Sequence, residues 1–83
     1  MPESKSWTPT IGAERLAELR QEYPGLYRLP QVVALTGLAK STLYAKVSRG
    51  EFPHHVKPSR TRTAWFAADV HAWLEGLNAQ AVA

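Results

Sequence analysis

Cysteine is absent from this chain of 83 residues. The protein therefore forms no disulfide and no thiolate metal site, which fits a reducing compartment. Long apolar runs are absent too: none approaches the ~18 residues of a membrane span, and the first ten residues lack the apolar core of a signal peptide. These absences indicate a small cytoplasmic protein of one domain at most. Such a domain buries only ~60% of the surface that its unfolded chain exposes, so its stability is modest.

Acidic residues are scarce in the middle of the chain. Residues 28–63 contain seven of the ten Lys and Arg but only one of the seven acids, Glu51. Positive charge concentrated in this way is typical of a protein that binds a polyanion such as nucleic acid. The alternative is an ordinary basic face that serves solubility alone.

Two short helical patterns meet within residues 28–49. Val32 and Leu35 lie three residues apart in the first pattern, and Leu43 and Val47 lie four apart in the second, so each pair shares one helix face. Gly37 stands between the patterns. A glycine in a short turn between two short helices is typical of a helix-turn-helix, and this stretch is the predicted functional centre.

The second predicted helix, residues 40–49, presents small polar and cationic side chains on the face opposite its apolar pair. Small polar residues suit base edges, while cations and a hydroxyl suit phosphates. The alternative is a solvated helix face of similar composition. The candidate DNA contacts on this helix are Lys40, Ser41, Thr42, Tyr44, Lys46 and Arg49.

After this helix the spacing of the apolar residues changes from a helical pattern to one typical of strands. Residues 54–57 and 64–66 are predicted to form two strands, joined by a turn over residues 58–63. A basic hairpin that follows a helix-turn-helix is interpreted as a wing, whose cations enter a minor groove or contact phosphates. Its candidate DNA contacts are Lys57, Arg60 and Arg62.

Residues 67–77 then return to a helical pattern, in which Val70, Trp73, Leu74 and Leu77 are expected to close the core, partly against Leu35. Residues 78–83 are expected to fray.

Residues 1–26 form a predicted N-terminal arm and helix, the helix spanning residues 10–22 with Thr10 as its N-cap. Trp7 lies in a polar arm that looks flexible. Its ring either folds back on its own domain or contacts a neighbouring subunit, where Trp is enriched. Leu16 and Leu19 form a narrow apolar stripe that suggests shallow packing. Trp7, Leu16 and Leu19 are therefore the candidate self-association residues.

Catalysis and metal binding have little support. His54 and His55 are adjacent, so in a strand they would point to opposite faces, and His71 is distant in sequence. Tyr44 lacks the companions of a strand-cleaving nucleophile, and there is no glycine-rich phosphate loop. We expect no metal, no cofactor and no enzymatic activity.

Residues 27–75 carry several marks that together resemble the AlpA-type prophage regulators and the related excisionases, which are MerR-like winged helix-turn-helix proteins. The marks are RLPQV (28–32), LTGL (35–38), STLY (41–44), GEFP (50–53), Trp65 and the Val70–Leu74 pattern. The resemblance implies a bacterial protein of the nucleoid that binds double-stranded DNA, associates with itself there and works with a tyrosine integrase. It also implies that seven of the residues named above face DNA: Lys40, Ser41, Thr42, Tyr44 and Arg49 on the helix, and Arg60 and Arg62 in the wing.

Three positions depart from that family pattern. Ala39 replaces a frequent serine, so the helix that follows loses a hydroxyl cap worth roughly 1 kcal/mol. Ala45 replaces a frequent arginine, and no glycine occurs between Gly50 and Gly76, where the wing turn falls. The first two departures weaken direct base readout and shift the expected specificity to the wing, DNA shape and several copies bound together.

The predicted fold class is thus α+β, mostly α: a winged helix-turn-helix at residues 27–77, with a two-stranded wing and a helical N-terminal extension. The predicted function is a DNA-binding accessory protein of a mobile element, acting as a recombination directionality factor (excisionase) that assembles cooperatively at attachment-site DNA and also regulates transcription. The alternatives are a transcriptional activator of an integrase gene without a direct role in excision, and a protein-interaction module.

Overall fold

A computed structural model describes the backbone of residues 7–82 and the side chains of residues 7–78. Four helices and three strands follow one another along this part of the chain: α1 Ala13–Glu22, β1 Leu26–Arg28, α2 Leu29–Thr36, α3 Lys40–Ser48, β2 Val56–Ser59, β3 Arg62–Phe66 and α4 Ala67–Val82. The α+β, mostly helical fold class is confirmed.

The helix-turn-helix consists of α2 and α3. Gly37 caps α2 in the left-handed conformation, with φ 73°, and its N–H donates to the carbonyl of Val33 at 2.8 Å. Glycine reaches this conformation without steric cost, which explains its place in the turn. The Thr36 hydroxyl donates to the carbonyl of Val32 and accepts from the N–H of Leu38, so the turn is tied on both sides.

The helix α3 ends in a second glycine cap. Gly50 has φ 75°, its N–H donates to the carbonyl of Val47, and the N–H of Glu51 donates to the carbonyl of Lys46. This pair of hydrogen bonds is a Schellman motif, and it turns the chain sharply away from the helix. The segment that leads to the wing therefore leaves α3 in a fixed direction.

The sheet has three antiparallel strands in the order β1-β3-β2. β2 and β3 are the expected wing, whereas β1 is an addition that the sequence did not indicate. It pairs Leu26 with Phe66 and Arg28 with Ala64. The first wing strand begins at Val56 rather than His54, because hydrogen bonds from tryptophan side chains hold the preceding residues in a loop.

One hydrophobic core lies between the helix-turn-helix, the sheet and α4. Its buried members are Val32, Leu43, Val47, Phe52, Trp65 and Val70. Leu38 packs against this core from the turn between α2 and α3. Leu35 and Leu77 do not belong to it, contrary to expectation: they are 44% and 43% exposed, because the faces that carry them point outward.

A second apolar cluster joins α1 to α4. Small residues at four-residue spacing on α4, namely Ala68, Ala72 and Gly76, let the N-terminal segment approach closely. A Cβ at Gly76 would lie 2.7 Å from the Thr10 hydroxyl, so Thr10 packs against α4 instead of capping α1, whose N-cap is Gly12. The Arg15 guanidinium adds a bidentate contact to Glu75, with Nε–Oε1 at 2.9 Å and Nη2–Oε2 at 2.6 Å.

Helix α4 continues to Val82, beyond the predicted end at residue 77. The residues of its last turn include alanine and glutamine, which are good helix formers. The predicted tail at residues 78–83 is thus helical to Val82, and Ala83 lies outside the described residues. In the predicted N-terminal arm, residues 1–6 lie outside them as well.

Candidate nucleic-acid interface

Helix α3 buries its apolar pair and exposes the opposite face. Leu43 and Val47 lie in the core, whereas the exposed set consists of Lys40, Ser41, Thr42, Ser48 and Arg49. Ala45 is half-buried. Ala39 precedes the helix in an extended conformation and makes no side-chain hydrogen bond to it. The first N–H groups of α3 therefore have no side-chain acceptor and remain available to an anion.

A groove lies between the starts of α2 and α3 and the wing. It has a volume of about 370 Å³, and its walls are formed by Arg28, Leu29, Pro30, Lys40, Tyr44, Thr61, Arg62 and Thr63. Three cations, Arg28, Lys40 and Arg62, come to this groove from three different elements. No acidic residue lines it. This groove, called the basic groove below, has the charge that a DNA backbone requires.

Arg28 is a groove residue that the sequence did not single out. It precedes α2 as its N-cap, and its backbone N–H donates to the Gln31 side chain at 2.9 Å. The last residue of β1 is also Arg28, so the pairing of β1 with β3 places it beside the wing. The signal that could have found it was its position just before a predicted helix that opens with proline.

At the other end of α3, two candidate DNA contacts are engaged by an acid. Glu51 approaches the Lys46 ammonium at 3.6 Å and the Arg49 Nε at 3.3 Å. The Arg49 side chain remains more than half exposed, so these are surface ion pairs of small energy. Phosphates must compete with Glu51 for these two cations, whereas no such competitor holds the cations of the basic groove among the described residues.

The wing turns without glycine. Ser59 lies opposite Arg62, which leaves Arg60 and Thr61 as a two-residue turn, and the register shifts by a bulge between Val56 and Ser59. No residue other than glycine has a positive φ in the described chain, so the turn needs none of the conformations that glycine favours. A two-residue turn without positive φ tends to splay the two strands apart. The bulge in β2 lets the strands pair in spite of this. Lys57, Arg60 and Arg62 are all exposed.

Two tryptophan side chains fix the segment between α3 and the wing. Trp65 Nε1 donates to the carbonyl of Pro53 at 2.8 Å, and Trp73 Nε1 donates to the carbonyl of Glu51 at 2.9 Å. Phe52 is buried between the two indoles, with ring centroids 6.1 and 4.9 Å away. This tryptophan clamp sets the position of the wing relative to α3, since it holds the chain that connects them.

Tyr44 lies deeper than the predicted phosphate contact suggests. Its ring packs against the core, with its centroid 5.7 Å from that of His55 and 6.1 Å from that of Trp65, while its edge lines the basic groove. A phosphate contact by its hydroxyl stays a prediction.

The adjacent histidines are arranged differently from the expectation. His54 and His55 precede β2, so strand alternation does not separate them, and their ring centroids lie 4.9 Å apart. Within the described residues, no group of three or more His, Cys, Asp and Glu side chains is placed to hold a metal ion. His55 Nδ1 is buried without a hydrogen-bond partner there, and burial lowers the pKa of His55.

His71 joins α4 to α1 and β1. Its ring stacks on Tyr23 at 3.8 Å, and its Nε2 lies 2.7 Å from the Tyr27 hydroxyl. Burial lowers the pKa of His71, although the charges of Glu75 and Glu22 act in the opposite direction. The neutral ring is therefore the form that this packing favours.

Stability is expected to fall when the pH is lowered from about 7.5 to about 5.5. An unfolded histidine takes up its proton near pH 6.5, whereas folded His71 and His55 do so at lower pH. The unfolded state then binds more protons in this window, which favours unfolding. Urea denaturation at both pH values measures the change. The variant His71→Gln, which cannot titrate, should show a smaller pH dependence; equal stability at both pH values in the parent would contradict the assignment.

The predicted self-association residues all pack within their own chain. Leu19 is 1% exposed, and Trp7 and Leu16 are half-buried against the same cluster on α4. The indication of shallow packing for α1 is thus wrong for Leu19, because the small residues of α4 admit its side chain fully. Leu19 offers no surface to a neighbouring copy in this fold. Self-association itself stays a prediction.

Two short helices joined by a glycine turn, with a basic hairpin held beside them, define a small winged helix-turn-helix protein. Comparison with known families gives a match over residues 25–77 to the family described as prophage CP4-57 regulatory protein (AlpA). The chain belongs to this family, and the resemblance found in its sequence motifs is confirmed.

A curated relative comes from a bacteriophage. The chain is 36% identical over 73 residues to the uncharacterized protein ORF88 of Enterobacteria phage P4, a match that covers 88% of this chain and 81% of the phage protein. No solved structure matches the chain. Among the described residues, no helix has the length and apolar character to cross a membrane.

Proposed function

We propose that this protein is a DNA-binding accessory factor of a mobile genetic element, acting in the bacterial cytoplasm as an excisionase. In this role it binds attachment-site DNA as a recombination directionality factor, together with a tyrosine integrase, and it also regulates transcription. The observation that carries the proposal is the basic groove, where Arg28, Lys40 and Arg62 meet beside the exposed face of α3. Membership of a prophage regulatory family supports it.

The composition of the interface favours backbone contacts over base reading. The exposed face of α3 carries mainly serine and threonine, and its one arginine, Arg49, is paired with Glu51. Phosphate contacts position a protein on DNA but carry no sequence information directly. We therefore infer that specificity comes from the wing, from DNA shape and from several copies bound side by side, since linked binding events raise the effective affinity.

The architectural role that follows is non-catalytic. In this role the protein bends or orders the attachment site so that the integrase excises the element instead of integrating it. No step of strand cleavage is assigned to this chain. Tyr44 serves the DNA interface rather than as a nucleophile, because its ring is packed into the core beside Trp65.

The test is an excision assay in cells that carry the element and express the integrase from an independent promoter. Deleting this gene should reduce the excised circle to the background of cells without integrase. The parent protein should restore excision, as should the single-charge control Arg15→Gln, whereas Lys40→Gln, which removes a groove cation outside the sheet, should restore it only weakly.

Two other outcomes separate the alternatives. If excision persists without this protein once the integrase is supplied independently, the protein is a transcriptional activator of the integrase gene and not an excisionase. If neither excision nor integrase transcription depends on it and the purified protein binds no duplex at low salt, the remaining alternative is a protein-interaction module.

A further inference from the structure

The face of the sheet that points away from the core carries an unusual exposed apolar pair. Leu26 and Phe66 lie directly opposite each other on β1 and β3, and they are 43% and 49% exposed. A cavity of about 360 Å³ lies on the wing side of this pair and another of about 410 Å³ on the α1 side. The outer sheet strip, as it is called below, consists of the exposed pair Leu26 and Phe66, with Arg28 and Arg62 at one end and Asp69 at the other.

The Asp69 end of the strip lacks an internal partner. Asp69 is half-buried, and its carboxylate makes no hydrogen bond and no ion pair within the described residues. Its cavity is otherwise lined by Tyr23, Pro24, Phe66 and Ala68, with Arg20 at the rim. Burial raises the pKa of Asp69, while the charge of Arg20 lowers it. An external cation would compensate the lost hydration of this carboxylate.

The opposite end of the strip is cationic. Arg28 and Arg62 are exposed and line the cavity beside Leu26, and neither forms an ion pair in the described chain. The strip therefore has an apolar centre, two guanidinium groups at one end and a carboxylate at the other. Two such strips related by a two-fold axis through the apolar centre are complementary, because each places its carboxylate against the other's guanidinium groups. A guanidinium group has five N–H donors, so Arg28 and Arg62 can face this carboxylate on one edge and a phosphate of the basic groove on the other.

We propose that the outer sheet strip is the surface through which two copies of this protein pair on DNA. The proposal rests on the proposed function and names its self-association surface. Position favours a second copy over another partner: Arg28, Arg62 and Thr63 line both the basic groove and the cavity at the cationic end of the strip, so whatever occupies the strip stands beside the bound duplex. The patch is small, so pairing depends on the DNA that holds both copies together.

The absence of cysteine allows a direct test by single-cysteine cross-linking. Phe66→Cys places a thiol near the proposed two-fold axis, and Leu35→Cys and Leu77→Cys place thiols at positions of matched exposure outside the strip. Each variant is treated with a short bis-maleimide in the presence of a long duplex. We expect Phe66→Cys to give covalent dimer several-fold faster than either control. Equal rates for the three variants would overturn the proposal.

A second substitution tests the charged ends. Asp69→Asn in the Phe66→Cys background should lower the cross-linking rate several-fold, and Asp69→Glu should restore it. Asp69→Asn alone should reduce cooperativity on a long duplex but leave binding to a duplex for one copy unchanged. Unchanged cross-linking and cooperativity would contradict the role of Asp69.

Failure of the proposed function gives a different result. If the proposed function is wrong, no variant binds duplex DNA. The cross-linking rate of Phe66→Cys is then compared with those of the two controls at high protein concentration without DNA. A dimer specific to position 66 would then retain the interface and reject the DNA role, whereas equal rates would reject the interface too.

Discussion

Replacing Trp65 with alanine is expected to remove most of the stability of this domain. Trp65 is fully buried at the centre of the core, and its indole N–H holds the carbonyl of Pro53. Truncating a buried tryptophan costs roughly 3–5 kcal/mol, and leaving a carbonyl unpaired adds to that. A chain of 83 residues has in total only a few to about 12 kcal/mol. We expect the melting temperature to fall by about 15 °C or more.

Thermal unfolding followed by circular dichroism measures this effect. Trp65→Phe is the matched control, because it keeps an aromatic ring in the core and loses the indole N–H and part of the ring volume; its cost should be clearly smaller than that of Trp65→Ala. A melting temperature of Trp65→Ala within a few degrees of the parent would show that Trp65 is not the centre of the core.

Neutralising two cations of the basic groove is expected to weaken DNA binding sharply. Lys40→Gln/Arg62→Gln removes two charges that line the same cavity from α3 and β3. Each phosphate contact contributes about 0.9 to the slope of log affinity against log salt concentration, so the slope should decrease by roughly 2 and the affinity by roughly 50-fold near 0.1 M salt.

The control for this prediction removes the same charge elsewhere. Arg15→Gln/Arg20→Gln takes two cations from α1, where Arg15 faces Glu18, Glu22 and Glu75 and not the groove. Fluorescence anisotropy with a labelled duplex, titrated at several salt concentrations, compares the two variants. If both change the salt slope equally, net charge alone governs binding and the groove has no special role.

The helix-turn-helix could be predicted from sequence because its determinants are local. The turn needs a residue that adopts a positive φ, and Gly37 stands where the two apolar patterns meet. The buried pair of α3, Leu43 and Val47, follows from helical spacing alone, and so does the identity of its exposed face. The wing was predictable in outline, since basic turn residues separate two short stretches of strand type.

The third strand could not be predicted in the same way. β1 has only three residues, follows a Pro-Gly pair, and pairs with residues about 40 positions later in the chain. β1 forms because the edge of β3 is available for pairing. The spacing of apolar residues in the sequence does not indicate that such an edge lies nearby. The contact of Arg28 with the wing depends on the same pairing, so only its position just before α2 could have marked it from the sequence.

The packing of α1 depended on the size of residues far away in sequence. Leu19 looked shallow in a narrow stripe, but alanines and a glycine on α4 leave room for its whole side chain. Leu35 and Leu77 show the converse, since helical spacing placed them with core residues while the arrangement of the neighbouring elements left them exposed. Periodicity gives the face of a helix, and only the assembled fold decides what covers it.

The tryptophan clamp has a consequence for how such a protein diverges in evolution. Both indoles hold main-chain carbonyls, of Glu51 and Pro53, so the clamp constrains the path of the chain and, apart from buried Phe52 and Pro53, little of its side-chain chemistry. Substitutions at the exposed positions Glu51 and His54 are therefore expected to leave the orientation of the wing relative to α3 unchanged. The protein thus has exposed positions beside α3 and the wing that can change by single mutations without a loss of folding.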